Sequence, residues 1–225
     1  MPVAAPGLTT TSYAILGLLA LRPWTTYELA QQMGRALGQF WPRAESKLYE
    51  EPKKLVVHGL ATASKENVGR RPRTVYHITP AGRRALEAWV RSPEEGEGGP
   101  VVEFEPLVRV FFAEHGSKQD LLATIASIEG WTESRAAMGA AICRQYLRGD
   151  GPFPDRLPWL ILTGQFLDDL IHTVARWAEW ARDTVGDWPE DLRRAEPDWP
   201  TLEAMAARNE DYLRRTSARS PAEIP

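Results

Sequence analysis

Apolar side chains crowd residues 11–22 (TSYAILGLLALR) on nearly every side, which predicts a buried helix that Pro23 stops. Thr25 or Thr26 then offers a cap, and Glu28 an acidic first turn, for a second helix reaching about Leu37. Its apolar positions Tyr27, Ala30, Met33 and Leu37 recur at three- and four-residue spacings and predict one buried face, and Gly38 ends it. An aromatic connection, Phe40-Trp41-Pro42, leads into a third helix from about Ala44 to His58, with Gly59 as its C-terminal cap. Three short helices with a tight link between the second and third form a helix-turn-helix pattern.

The period then changes. Leu60 to Lys65 reads as a strand and Thr74 to Ile78 alternates as a second, with a polar loop, Asn67 to Arg73, between them. Pro80 opens a fourth helix reaching Val90. The order helix, helix, helix, strand, strand, helix predicts a winged helix-turn-helix.

Residues 92–102 (SPEEGEGGPVV) are rich in Gly, Pro and Glu, and we place the domain boundary there, giving domains 1–92 and 93–225. Everything beyond reads helical. A helix is predicted from Glu103 to His115. A second, capped by Ser117 with Asp120, runs about thirty residues, and Gly130 and Gly139 are its possible kinks. A third spans about Pro158 to Val185, and a weakly amphipathic helix covers about Leu202 to Arg215. In the third, Leu160, Thr163, Leu167, Leu170, Val174, Trp177 and Ala181 follow a 3-4 heptad spacing. Such a seam packs along a partner helix, in the same chain or another. The fold class is mainly α: a winged helix-turn-helix domain followed by an all-α domain.

Charge sharpens this division. Residues 1–92 carry 13 Lys+Arg against 6 Asp+Glu, a net of +7; residues 93–225 carry 14 against 24, a net of −10. A basic head on an acidic body suits a polyanion partner for the head. One cysteine, Cys143, excludes an intrachain disulfide framework and a cysteine-cluster zinc site, and fits a reducing, cytoplasmic setting. The longest apolar run, Tyr13 to Leu21, is about half of a bilayer span and lacks the flanks of a signal peptide, so neither a membrane helix nor a leader is expected. No Gly-rich phosphate loop, nucleophile elbow or zinc-protease motif is present, so no enzyme and no cofactor are expected.

The first ninety residues resemble the PadR family of bacterial transcription regulators. The matching stretches are SYAILGLLA, TTYELAQQM, FWPRAESKLYEEPKKLVVHGL and GRRPRTVYHITPAGRRALEAW. The last combines a Gly-Arg-x-Pro-Arg wing tip, a strand ending in Thr, and a helix opening Pro-Ala-Gly. The second half is similar to the helical domain of the subgroup that includes the virulence activator AphA, through EFEPLVRVFF, the helix lengths and Trp188-Pro189. The resemblance implies a homodimer whose C-terminal helices exchange between subunits, and a palindromic operator in double-stranded DNA. It also implies release by a small, often aromatic, effector; repression is expected and activation is the alternative. One departure stands out: where the family commonly has Tyr-Pro in the third helix, this chain has Tyr49-Glu-Glu-Pro52.

In a helix-turn-helix the N-terminal part of the second helix enters the major groove. Arg43, Ser46, Lys47, Tyr49, Lys53 and Lys54 are the DNA-binding candidates: Ser46 and Lys47 sit there for base edges, and Tyr49, Lys53 and Lys54 suit phosphates. Glu45, Glu50 and Glu51 work against that surface. On the wing, Arg70, Arg71 and Arg73 suit the minor groove or flanking phosphates, whereas His77 is expected to pack or hydrogen-bond within the hairpin. Leu160, Leu167, Leu170, Val174 and Trp177 are the dimerisation residues. Trp159, Phe166 and Trp180 are the effector candidates, because indole and phenyl faces stack on flat compounds. Asp168 and His172 share a helix face but give only two metal ligands, so an ion pair is expected there and no metal. Cys143, beside small neighbours, is expected to be a packed thiol. The alternative function is a ligand-binding or protein-interaction module whose winged head contacts a protein rather than DNA.

Overall fold

The computed structural model of the chain describes residues 8–36, 45–68, 71–91 and 104–217. The chain divides into two compact units, Met1–Val101 and Val102–Pro225, and the expected boundary after residue 92 falls outside the described residues.

In the first unit the elements are α1 (Thr10–Leu21), β1 (Trp24–Thr25), α2 (Thr26–Ala36), α3 (Glu45–Val57), β2 (Ala61–Val68), β3 (Arg71–Ile78) and α4 (Pro80–Arg91). This is the winged helix-turn-helix. Helix α1 is the central post, buried on most faces and packed against α2 and α3; Ile15, Leu16 and Leu19 are buried in the core, as are Leu29 of α2 and Leu55 of α3. Each such side chain contributes about 1.5–3 kcal/mol on leaving water. Ring contact joins α1 to α4: Tyr13 stacks on Trp89 with centroids 4.9 Å apart and planes at 6°.

Three details differ from the sequence pattern. Tyr27 is 66% exposed, and Leu29 takes the buried place on α2 beside Met33; Leu37 lies outside the described residues. A third strand exists, since β1 pairs antiparallel with β3 (Trp24 opposite Tyr76), giving the order β1-β3-β2. It is fixed by the indole of Trp24, which donates to the Leu18 carbonyl at 2.8 Å. The wing strands are also longer than expected. Asn67, Val68 and Arg71 to Arg73 belong to strands, in the register Glu66↔Arg73, Asn67↔Pro72, Val68↔Arg71. Cross-strand pairing carries the ladder through residues whose types suggest a loop.

The local caps are legible in the residues. At α2, the Thr25 hydroxyl accepts the Glu28 N–H, and the Glu28 carboxylate accepts the Thr25 N–H at 2.8 Å, a reciprocal capping box. At α4, Thr79 accepts the Gly82 N–H at 3.0 Å, and its hydroxyl donates to the Gly59 carbonyl at 2.8 Å. Gly59 itself ends α3 at φ 70°, a conformation that favours glycine.

The second unit contains α5 (Glu105–Phe111), α6 (Lys118–Leu147), α7 (Leu157–Gly186) and α8 (Trp199–Ser217). The helix expected to reach His115 stops at Phe111, and Ala113–His115 forms a separate 3₁₀ turn. Helix α6 is one unbroken stretch through Gly130 and Gly139, capped by Ser117 and Asp120 as the sequence predicts. Helices α6 and α7 form an antiparallel hairpin. Leu121, Ile125 and Ile128 pack with Ala178, Ala181, Val185 and Leu192. The alanines let the helix backbones approach. Lys118 closes this end: its ammonium donates to the carbonyls of Gly186 (2.8 Å) and Trp188 (2.6 Å) at the C-terminus of α7.

The other end of the hairpin is different. No residue from 133 to 170 is buried, and neither is any residue of α8.

Candidate nucleic-acid interface

Helices α2 and α3 form the helix-turn-helix, and α3 stands in the place of its second helix. It runs unbroken through Pro52, although proline offers no N–H to the Leu48 carbonyl. Pro52 is fully buried, and that packing offsets the lost bond.

Of the residues predicted to meet DNA, Arg43 and Arg70 lie outside the described residues; Ser46, Lys47 and Arg71 are placed on their elements by backbone alone. Tyr49 is partly buried. Lys53 is exposed, and its ammonium donates to exposed Glu50 at 2.8 Å, a contact that raises the lysine pKa. Lys54 is also exposed, 3.3 Å from the Glu51 carboxylate. Arg73 is exposed on β3, opposite Glu66. His77 stays within the hairpin, 3.1 Å from the Ser64 hydroxyl and 3.9 Å from Glu66.

The sequence alone makes Glu51 one of three carboxylates that work against a DNA-facing surface. It is in fact 5% exposed, its Oε1 accepting the hydroxyls of Thr9 (3.1 Å) and Ser12 (3.2 Å) on α1. A signal for this existed: Leu48, Glu51 and Leu55 follow the 3-4 spacing of a buried stripe.

In the helical unit, the heptad seam is only partly an intrachain contact. Ala181 is buried, and Val174 and Trp177 pack against the core cluster, but the buried stripe continues through Ile171, Ala178 and Val185. Leu160, Leu167 and Leu170 remain partly exposed. Of the effector candidates, Trp159 is 59%, Phe166 61% and Trp180 48% exposed. They form one stripe along α7. At about 1.5 Å per residue they are spaced roughly 10 and 20 Å apart, so one small molecule cannot touch all three from one protomer. A cavity of about 440 Å³ between α5 and α6, lined by Glu105, Arg109, Thr124 and Ser127 among others, includes none of them.

Asp168 and His172 form an exposed i,i+4 pair at 3.6 Å, and among the described residues no group of three or more His, Cys, Asp or Glu could hold a metal. Cys143 is exposed, not packed: it lies on the part of α6 where nothing is buried. Among the described residues no helix is long and apolar enough to cross a membrane.

Residues 15–88 match the model of the transcriptional regulator PadR-like family. A negative transcriptional regulator PadR of Bacillus subtilis (strain 168) is 34% identical over 79 residues, 35% of this chain and 43% of that protein. The match thus spans less than half of the relative's length. Among solved structures, Bacillus subtilis PadR in complex with operator DNA superposes with a TM-score of 0.61 at 21% identity, covering 79% of this chain and 99% of that one. The same protein in complex with p-coumaric acid gives 0.56 at 22% identity over 80% and 99%. The Vibrio cholerae virulence activator AphA gives 0.58 at 23% identity over 79% and 98%. At these identities the structures establish a shared fold, helical second unit included.

Proposed function

We propose that this chain, whose residues 15–88 carry a PadR-like domain, is a transcription regulator that binds double-stranded DNA sequence-specifically. The observation that carries the reading is the basic winged head. Its recognition helix, α3, presents Lys53 and Lys54, its wing strand presents Arg73, and a PadR of the same fold has been solved on operator DNA. Ser46 and Lys47 are assigned to base edges, and Arg43 is a further DNA-binding residue. Lys53, Lys54 and Tyr49 are assigned to phosphates, and the wing arginines Arg70, Arg71 and Arg73 to the minor groove or flanking phosphates.

The acting species is a homodimer on a palindromic operator. The support is the apolar surface that one chain leaves open: Trp159, Ile161, Leu162 and Phe166 on α7, and Trp199, Leu202, Met205 and Leu213 on α8. A 19-residue helix with no buried residue lacks the tertiary packing that keeps helices formed in water. The seam residues Leu160, Leu167, Leu170, Val174 and Trp177 flank this surface. Repression is the proposed direction, relieved by a small aromatic ligand; a PadR bound to p-coumaric acid supports that class. Since Trp159, Phe166 and Trp180 are too far apart within one protomer, the proposed ligand sits between the α7 helices of two. It alters the spacing of the two heads and so the chance that both dock together.

The test is binding of the purified protein to its own upstream DNA across several salt concentrations, beside an unrelated duplex. Tight binding that weakens linearly with log salt and prefers the upstream sequence supports the reading. Equal weak binding to both, followed by failure of selection from random DNA, would favour a head that contacts protein through carboxylates such as Glu50.

A further inference from the structure

The recognition helix carries two lysines, each with a carboxylate three residues before it, and the two pairs are built differently. Glu50 and Lys53 are both more than half exposed, an ordinary surface pair. Glu51 is buried, and only its partner Lys54 reaches solvent. A carboxylate taken out of water is tolerated only with strong partners. Two of the partners of Glu51 come from far along the chain. Thr9 and Ser12 donate their hydroxyls to Oε1, and these are the two residues that form the capping box of α1, Thr9 as cap and Ser12 three positions on. Oε2 accepts no hydrogen bond and lies against Lys54, with Nζ at 3.3 Å. One side chain thus ties the recognition helix to the start of the central helix, and aims its second oxygen at a surface ammonium.

We infer that Glu51 is a positioning residue for DNA binding: pinned by Thr9 and Ser12, its carboxylate holds the Lys54 ammonium at the protein surface for a backbone phosphate. The inference rests on the DNA-binding reading above. An ammonium has three N–H donors, so Lys54 can meet Oε2 with one and a phosphate with the others. A lysine otherwise loses much rotamer freedom on binding, and a fixed buried anchor removes part of that cost before DNA arrives. The surface pair Glu50–Lys53 offers no such anchor, because Glu50 is itself free to move and faces the same polyanion.

The two carboxylates therefore differ in sign. Removing a negative charge beside a polyanion ordinarily tightens binding. Glu51→Gln keeps an oxygen for the Thr9 and Ser12 hydroxyls but faces Lys54 with an amide that no longer attracts it. The expected result is DNA binding weakened about tenfold, the worth of one charge-assisted contact, with the log-log salt slope reduced by about one. In a Lys54→Gln background the same change has no further effect. Ser12→Ala, which leaves every charge in place, weakens binding in the same direction and serves where E51Q is too unstable to assay. Each variant is measured below its own unfolding midpoint by urea titration. E51Q or S12A binding as tightly as the wild type, an undiminished slope in K54Q, or an equal loss from E51Q with and without Lys54 would each overturn the inference. A wild-type chain that shows no salt-dependent DNA binding removes the DNA-binding reading and this inference together, whereas a binding wild type with a neutral E51Q removes this inference alone.

Discussion

Gly82, in the first turn of α4, lies against the backbone carbonyl of Leu60. A β-carbon at position 82 would sit far inside van der Waals contact of that oxygen and 2.9 Å from Ile78 Cγ1. The glycine of the Ile78-Thr79-Pro80-Ala81-Gly82 run is therefore a matter of space. Leu60 O already accepts the Thr79 N–H at 3.1 Å, so the carbonyl is held in place. Gly82→Ala should destabilise the winged head by about 2–3 kcal/mol, since the backbone must move to admit a methyl group. Urea unfolding followed by tryptophan fluorescence measures it; a loss below half of that would show that α4 shifts freely.

Thr79 works beside it. Its hydroxyl caps α4 through Gly82 and binds the Gly59 carbonyl, linking the end of α3 to the start of α4. Thr79→Ala should cost about 1–2 kcal/mol, the upper range for an N-cap. Thr79→Ser, which keeps the hydroxyl, should recover most of it in the same titration.

Charge at the recognition surface should be readable in salt dependence. Lys53→Gln and Arg73→Gln should each flatten the log-log slope of DNA binding by about one, with the order of preference among operator sequences unchanged. Glu50→Gln frees Lys53 and removes a repelling carboxylate, so binding should tighten, by about two- to fivefold at low salt, and less as salt rises. Fluorescence anisotropy at four or more salt concentrations checks all three.

Self-association should depend on the exposed stripes of α7 and α8. Phe166→Glu with Leu162→Glu places two charges on a surface that one chain leaves apolar. The dimer dissociation constant should rise by at least about thirtyfold, as for loss of an interface hot spot. Sedimentation velocity reads it directly, and circular dichroism should show helix content falling with dissociation as α8 loses its support.

Acid should unfasten the caps. The Thr25 backbone N–H, helped by its hydroxyl and by Arg22, holds the Glu28 carboxyl below the ordinary carboxylate range; the Ser117 hydroxyl and N–H do the same for Asp120. A carboxyl lowered in the folded chain stabilises it fully at neutral pH, and that contribution disappears as pH falls through the folded-state value. Glu28→Gln and Asp120→Asn should thus lower the unfolding temperature at pH 7, and the difference from wild type should close as pH falls through the folded-state values. A difference that persists below them would mean that packing, not charge, carries the effect.

Much of this chain is legible in local chemistry. The capping pairs Thr25 with Glu28 and Ser117 with Asp120, the stop at Pro23, the Gly59 cap and the thirty-residue helix without proline all act within a few residues. A reader needs no tertiary contact to find them. Where structure and sequence pattern differ, the cause is a neighbour in another element. Tyr27 and Leu29 both fit an amphipathic α2, and only the position of α1 decides that Leu29 goes inside. Two residues, Trp24 and Thr25, are too few to carry a strand signal; they become one because β3 offers an edge and Leu18 an acceptor. The wing residues Asn67 and Pro72 look like a turn, and pairing across the hairpin makes them strand.

The sequence by itself determined the order of the long helices and the two wing strands, the helical second unit and the basic and acidic division between the units, because periodicity, caps and charge are local properties of a chain. Only the tertiary structure decided what Glu51 does. Among Glu45, Glu50 and Glu51, nothing local says which carboxylate is a solvent-facing obstacle and which is an anchor. That distinction comes from where α1 lies, since burial and the hydroxyls of Thr9 and Ser12 arrive from about forty residues away. The same holds for the heptad of α7. Its spacing announces a packing stripe, but the partner inside the chain takes Ile171, Ala178 and Val185, and Trp159 and Phe166 are left facing outward. A helix repeats its pattern along its whole length, and only the placement of its neighbours determines which turns are covered.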